Sequence, residues 1–394
     1  MASISRREVK GKPRYDVNYR DPEGRGRRKA FTKKVDADSF LNTVEADKLR
    51  GTYIDRDAGR ITFKKYAESW MAAQTFEATT REAMEQRLKK HIYPVLGSRT
   101  LAELKPSTIQ SWMASLTIKS STYRRVLFAN VSAILSAAVD DERIGKNPCK
   151  AGSVRAPRAE TRKVVPWTGD RVGAVREALS PRDRIVVDLG AGLGLRQGEV
   201  FGLSPDDVDF LHDTVEVCRQ VKLLGGNKQI FGLPKGNKTR TVPLPSEVSE
   251  LLREYLTHHP ARSVTLPWRS VDGESVTARL VLTNRERKAM NRNYFNSRIW
   301  HKALAAAGVP DDRQNGMHAL RHFYASVLLD AGESIKAVSE YLGHSDAGFT
   351  LRTYTHLMPS SDQRTRSAID RAFAWYIGSA TIAPGPTDLT HPRW

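Results

Sequence analysis

Six residues in the second half of the chain combine types and spacings that could do chemistry. Gly192-Leu193-Gly194-Leu195-Arg196-Gln197-Gly198-Glu199 sets Arg196 just after a glycine-marked turn, at an expected helix start. Lys235-Gly236-Asn237-Lys238 falls in the expected turn of a β-hairpin. His318-Ala319-Leu320-Arg321 places His318 and Arg321 three apart, hence on one helical face. Leu342-Gly343-His344-Ser345 puts His344 after a helix end marked by glycine, and Tyr354 follows in Arg352-Thr353-Tyr354-Thr355-His356. A guanidinium donates in a fixed fork to two oxygens and stays charged. A phenol, with a reference pKa of about 10, attacks only as it loses its proton. Singly, each residue reads as readily as a surface cation or a packing group. The ordered set is far more specific.

The elements that must position these residues have a mixed pattern. Helices are expected over 169–179, 181–192, 196–203, 245–258, 291–307, 318–331 and 361–377. Strand-like runs at 213–221, 229–233 and 239–243 predict a small sheet at the edge of that helical region. Residues 62–148 read as all-helical: Thr79-Thr80-Arg81-Glu82 matches a capping box, and Pro106-Ser107-Thr108 opens another helix. From Ser121 onward, Leu127, Val131, Ile134, Leu135 and Ala138 fall on one face. Residues 149–164 read as an exposed basic linker, and the proline-bearing stretch from Ser379 as a disordered tail. In the last expected helix Ala368, Ile369, Ala372, Phe373 and Tyr376 share a face.

At the other end, residues 1–34 hold 12 Lys/Arg against four acids, a local net of +8. Ile4–Val9, Arg14–Asp21 and Arg27–Lys34 read as short strands, and Val35–Arg50 as a helix with Phe40, Val44 and Leu49 on one side. Arg14, Arg27, Arg28 and Lys29 on such strands suit a DNA groove, which admits a ribbon or sheet. Lys89, Lys90, Arg124 and Arg125 are candidate phosphate contacts in the helical region.

Charge points the same way. The 394 residues carry a formal net charge of +19, which calls for a polyanionic partner, nucleic acid being the commonest. Two cysteines, Cys149 and Cys218, are too few for a disulfide scaffold or a four-thiolate metal site. The N-terminus lacks the apolar core of a secretory signal, and no window approaches the ~18 apolar residues of a membrane span. A cytoplasmic protein of a bacterial host, bound to DNA, is the expectation.

The ordered set resembles the tyrosine recombinase (phage integrase) family, through the strings GLGLRQGEV, HALRHFYASVLLDAG and YLGHSDAGFTLRTYTH. The resemblance implies an α+β, multidomain chain. A small β-β-β-α module at 1–58 would be the arm-type DNA-binding domain. Residues 62–158 would be the all-helical core-binding (SAM-like) domain. Residues 165–378 would be a mainly helical catalytic domain with a small β-sheet, followed by the tail 379–394. It further implies that Tyr354 is the nucleophile, giving a 3′-phosphotyrosine and a free 5′-hydroxyl, which conserves the bond energy without ATP. Arg196 and Arg321 would hold the non-bridging oxygens of the pentacoordinate phosphate, with His344 donating to one of them. His318 would be a hydrogen-bond donor and possible general base, and Lys235 the acid that protonates the 5′-oxygen. Glu199 would orient the basic groups. Lys238 stays open as an alternative acid, and Tyr341 and Tyr324 as weaker alternative nucleophiles. The cations do the work a metal does elsewhere, so no cofactor is expected.

By resemblance the partners are double-stranded attachment sites, a homotetramer on paired DNA, a host DNA-bending protein and an excisionase, with no membrane. The basic module at 1–58 favours an integrase of a phage or integrative element over a cellular recombinase that resolves chromosome dimers. A type IB topoisomerase shares the chemistry but not the two-part DNA-binding N-terminus. A regulatory DNA-binding protein without catalysis would be expected to lack Arg196, Arg321 or Tyr354, and none is missing.

Overall fold

The computed structural model describes residues 2–51, 53, 55, 57–158, 163–357, 366, 367 and 369–374. The chain divides into two compact units, Met1–Thr161 and Arg162–Trp394.

The first unit opens with three antiparallel strands in sequence order, β1 (Ser3–Val9), β2 (Lys12–Arg20) and β3 (Gly26–Phe31), followed by the helix Lys34–Leu49. The β1–β2 turn is set by Lys10 and Gly11, both at positive φ, as the twist of a two-residue hairpin demands. Pro13 pairs with Glu8 inside β2. Val17, Tyr19, Ala37 and Val44 form the small core, joined by Phe31 and Phe40. Leu49, expected on that face, is exposed, because at about 3.6 residues per turn it falls roughly opposite Phe40 on the helix.

The remainder of this unit is helical, with Phe63–Ala73, Ala78–Arg87, Pro106–Ser115 and Ser121–Asp140 as its main helices. Their core holds Phe63 and Trp112 together with Leu127, Val131, Ile134, Leu135 and Ala138, the stripe the spacing predicts. Thr79 and Thr80 lie within the first turn of their helix, whose N-cap is Glu77; the expected capping box is displaced to Thr100 and Glu103.

The second unit packs helices around a bent antiparallel hairpin. The expected strand 213–221 is broken into β5 (Thr214–Val217) and β6 (Gln220–Leu223), after the short β4 (Val208–Asp209). Its return is in two pieces, β7 (Gln229–Gly232) and β8 (Arg240–Pro243), close to the separate runs expected at 229–233 and 239–243. β6 pairs with β7 and β5 with β8, so the hairpin turn lies at Leu224–Lys228. Lys235 therefore sits in an excursion between β7 and β8, not in the turn itself. The break coincides with Asp207, which accepts from Arg219 at 2.5 Å and from Cys218 at 3.3 Å, drawing the strand aside there. A second hairpin, β9 (Arg262–Pro267) with β10 (Ser275–Leu280), and the helix Ser246–His258 complete this side.

The core is aromatic and aliphatic, with Phe201, Phe231, Phe295 and Trp300 fully buried and Trp167 stacked on Trp300 at 6.1 Å. Three helices close the chain's described part: His318–Asp330, Ile335–Leu342 and Ala347–Tyr354. Of the expected helix 361–377, residues 366, 367 and 369–374 are helical, with Ile369 and Phe373 exposed; the rest, Ala368 and Tyr376 included, lies outside the described residues, as does the tail 379–394.

Candidate active site

Arg196 is the N-cap of the short helix Gln197–Gly202. Gly194, two residues earlier, has φ of +63°, and a Cβ there would fall 2.4 Å from the Tyr324 ring. Only glycine permits this turn. Arg321 lies on the helix His318–Asp330 and is 0% exposed. Its Nη1 donates to the Gly194 carbonyl at 2.7 Å, so the turn before Arg196 also anchors Arg321.

Glu199 joins the basic groups. Its carboxylate, 1% exposed, accepts from Arg196 Nη1 at 2.9 Å, from the Arg196 backbone N–H at 2.9 Å, and from Arg240 Nη2 at 2.6 Å. Burial alone would raise its pKa, but the bonds and charges of Arg240 and Arg196 outweigh it and hold the carboxyl down to about 2. Glu199 is therefore a fixed anion. It orients two guanidiniums and takes no proton near neutrality.

Three arginines also converge on one helix end. The helix Ile335–Leu342 ends at Gly343 in the left-handed region. Its terminal carbonyls are met in succession: Arg240 Nε donates to Tyr341 at 2.7 Å, Arg321 Nη2 to Leu342, and Arg196 Nη2 to Gly343 at 3.2 Å. The negative end of the helix dipole thus offsets part of the repulsion among the three cations. Arg321 Nε–H is buried with no acceptor.

His344 follows directly. Its Nε2 lies 3.2 Å from Arg321 Nη2 and its Nδ1 2.7 Å from Thr350 Oγ1. Arginine can only donate, so Nε2 accepts and Nδ1–H donates to Thr350. Burial, reinforced by Arg321, Arg196 and Arg240, lowers the His344 pKa to about 3, in keeping with a neutral ring. In this arrangement His344 is an acceptor; donating to a phosphate requires Arg321 to release Nε2 and that nitrogen to carry the proton, through a change of tautomer with Thr350 donating to Nδ1 or through protonation of the ring.

Tyr354 ends the helix Ala347–Tyr354 and is 1% exposed. Its hydroxyl pairs with Nδ1 of His322 at 2.7 Å. Burial pushes the phenol up to about 12 against the pull of Arg321 and Arg196. His318 stands one turn before His322 with the rings 4.6 Å apart, and burial together with His322, Arg321 and Arg196 lowers its pKa to about 3. Lys235 and Lys238 are both exposed on the excursion between β7 and β8, beside Gly236 and Asn237 at positive φ. Tyr324 is packed on Gly194 and Tyr341 lends only its carbonyl.

Arg196, Glu199, Arg321 and His344 thus form one hydrogen-bonded cluster, with His318, His322 and Tyr354 adjoining it. The sequence reading missed Arg240, His322 and Thr350. His322 had a signal, standing four residues after His318 on the same face; Arg240 and Thr350 had none. Among the described residues no group of three or more His, Cys, Asp or Glu converges as a metal would require.

The candidate DNA contacts divide. In the N-terminal sheet, Arg14 and Arg28 are exposed, and Arg28 shares the buried Asp16 with Arg7, whose Nε is 2.7 Å from it. Arg27 pairs across from Tyr19 and is held by Asp21 at 3.1 Å and by Asp55. Lys29 lies over the Phe40 ring at 3.9 Å. Arg27 and Lys29 are therefore engaged inside the module. Lys89, Lys90 and Arg125 are exposed, whereas Arg124 donates to the Met113 carbonyl at 2.8 Å and ties two helices.

Comparison with known proteins decides the family. Residues 171–361 match the phage integrase family, and residues 62–117 the N-terminal SAM-like domain of phage integrases. The chain is 30% identical over 300 residues to tyrosine recombinase XerC of Mycobacterium bovis, covering 72% of this chain and 89% of XerC. It is a tyrosine recombinase of the phage integrase family. A prophage phiRv2 integrase of Mycobacterium tuberculosis is 25% identical over 366 residues, 91% of this chain and 92% of that one. Among solved structures, the Tn1549 transposon integrase in complex with transposon right end DNA superposes with a TM-score of 0.64 at 20% identity, over 79% of this chain and 99% of that one. This recombinase thus shares the fold of that DNA-bound integrase. No helix among its described residues is long and apolar enough to cross a membrane.

Proposed function

We propose that this recombinase is the integrase of a phage or integrative element and that Tyr354 is its nucleophile. The carrying observation is the cluster of Arg196, Arg321 and His344 on one buried scaffold, with the Tyr354 hydroxyl held on the Arg321 helix. The Tyr354 oxygen attacks a DNA phosphorus as its phenolic proton passes to a neutral histidine of the site, the bond to the 5′-oxygen breaks, and a 3′-phosphotyrosine forms. Lys235 gives its proton to the departing 5′-oxygen; its exposed, glycine-flanked excursion suits a group that must reach the DNA. Arg196 and Arg321 neutralise the charge that gathers on the non-bridging oxygens. The orphan Nε–H of Arg321 is a buried donor that an arriving phosphate oxygen would satisfy. Religation by a 5′-hydroxyl from the partner duplex reverses the step, and two rounds give a Holliday junction and its resolution.

The domain reading follows from the same proposal: 1–58 an arm-type DNA-binding domain, 62–158 a core-binding domain, 165–378 the catalytic domain. Arg14 and Arg28 contact arm DNA, and Lys89, Lys90 and Arg125 core DNA. A homotetramer on paired sites, a host bending protein, an excisionase and a cytoplasmic location belong to this reading. The alignment with a prophage integrase over nearly the whole chain favours it over chromosome-dimer resolution.

Trapping on a nicked duplex bearing the element's own end, followed by peptide mapping, tests the proposal. Phosphotyrosine at position 354 is expected; an adduct on Tyr341 or Tyr324, or none, overturns it. A chain beginning near Arg60 should still cleave core DNA yet fail to integrate a full attachment site.

A further inference from the structure

The nucleophile helix is fastened to the site at two points one turn apart. Thr350 and Tyr354, four residues apart and both fully buried, face the same way. Thr350 accepts from His344, and the Tyr354 hydroxyl pairs with His322. The two histidines flank Arg321: His344 accepts from its Nη2, and His322 is its neighbour on the helix. The Tyr354 ring stands edge-on to His322, with centroids 5.6 Å apart. His318, the residue a general-base role would call for, meets His322 by its ring face and edge rather than Tyr354.

Resting on the reading of Tyr354 as nucleophile, we propose that His322 is a positioning residue for strand cleavage: its Nδ1 accepts the Tyr354 O–H and so aims the oxygen's lone pairs away from the helix and toward the phosphate bound by Arg321. A tyrosine hydroxyl has one proton and two lone pairs, so fixing where the proton points fixes where the nucleophilic pairs point. Placing the acceptor beside Arg321 makes the same helix register both the electrophile and the nucleophile. A displacement of either group by about an ångström is enough to slow such a reaction severely. Burial and the adjacent Arg321 lower the His322 pKa to about 4, which keeps the ring neutral near neutral pH, and the tautomer protonated on Nε2 then leaves Nδ1 as an acceptor.

His322→Asn and His322→Phe separate this from packing. Asparagine offers an oxygen near the position of Nδ1, while phenylalanine fills the space with no acceptor. Adduct formation on the nicked duplex should slow about ten-fold or more in His322→Phe, the worth of one lost hydrogen bond, and stay within about three-fold of the parent in His322→Asn. Retention of the intact duplex should be the same in all three proteins. A His322→Phe enzyme as fast as the parent, or a His322→Asn enzyme as slow as His322→Phe, overturns the proposal. Histidine-selective nitrogen NMR gives a readout free of activity: the His322 Nδ1 resonance should move in Tyr354→Phe, and an unmoved resonance refutes the hydrogen bond. Tyr354→Phe also serves as the control, since an adduct of normal yield there would sink the nucleophile assignment and not the role of His322.

Discussion

The protein places arginines in two contrasting ways. In the N-terminal sheet, Arg7 and Arg28 lean on Asp16 from the solvent side, with more than half of each side chain exposed. In the catalytic unit, Arg196, Arg240 and Arg321 are sunk around Glu199 and the carbonyls of residues 341–343. Exposed guanidiniums keep their water and attract phosphates over a distance, with an affinity that salt erodes. Buried ones have already exchanged water for fixed acceptors, so their positions are largely set before charge develops on a phosphate. On the proposed reading, the first arrangement finds DNA and the second does chemistry on it.

That contrast breaks first at Tyr354. Tyr354→Phe should retain duplex binding and form no covalent adduct, because on the proposed reading the removed hydroxyl is the attacking atom while the ring stays packed. Denaturing gel analysis of a nicked substrate checks it; an undiminished adduct band would move the nucleophile elsewhere.

The buried arginines come next. Arg196→Lys and Arg321→Lys preserve charge but lose the fork, so each should slow cleavage by ~10²–10³. Arg321 should be the worse of the two, because its two terminal nitrogens serve three acceptors: the carbonyls of Gly194 and Leu342, and Nε2 of His344. Filter retention of the duplex should change little in either variant. If binding falls in step with cleavage, the division between finding and cutting is wrong.

Much of this site was legible because its parts are local. Arg196 sits behind a glycine turn, His318 and Arg321 share a helical face, and Gly343 marks the helix end before His344. What holds them was not legible. Arg240 reads as one more charge on an edge strand, and its partner Glu199 lies 41 residues earlier. The strand 213–221 looked uninterrupted because the pull of Asp207 on Cys218 and Arg219 is a tertiary effect, and β-propensity runs unbroken across it. In the N-terminal sheet, composition alone could not separate Arg28 from Arg27. Their difference arises from strand alternation, which puts adjacent side chains on opposite faces.

Glu199 gives a third way to sharpen the comparison. Removing it as Glu199→Ala leaves two guanidiniums facing each other without their anion, a loss of ~3–5 kcal/mol for a broken buried pair. Denaturant unfolding measures it. The pH dependence has a defined sign. The carboxyl titrates near 4.5 when unfolded and near 2 when folded, so its stabilisation is complete above about 4.5 and lost as pH falls toward 2. His318, His322 and His344 add the same sign from 6.5 downward, since folding holds them neutral and the unfolded chain binds their protons. Glu199→Gln should therefore flatten only the lower part of the acid limb. A profile unchanged below pH 4.5 would show that the carboxylate is not the anchor of the cluster.

The smallest effect is expected in the sheet, where it is also the most diagnostic. Arg28→Ala removes an exposed cation, so it should weaken arm-DNA binding modestly, by about the same factor on every sequence. The slope of log K against log salt should fall by about 1 if the side chain meets a phosphate. Arg27→Ala removes a cation already neutralised by Asp21 and Asp55, so its salt slope should stay at the parent value. Its cost should appear as a lower melting temperature of the module, because Asp21 is left buried without its guanidinium. Titrations at several salt concentrations separate the two variants. If Arg27→Ala lowers the slope as much as Arg28→Ala does, then the face bearing the helix is the one that meets DNA, and the exposed face carrying Arg7, Asp16 and Arg28 is only solvated surface.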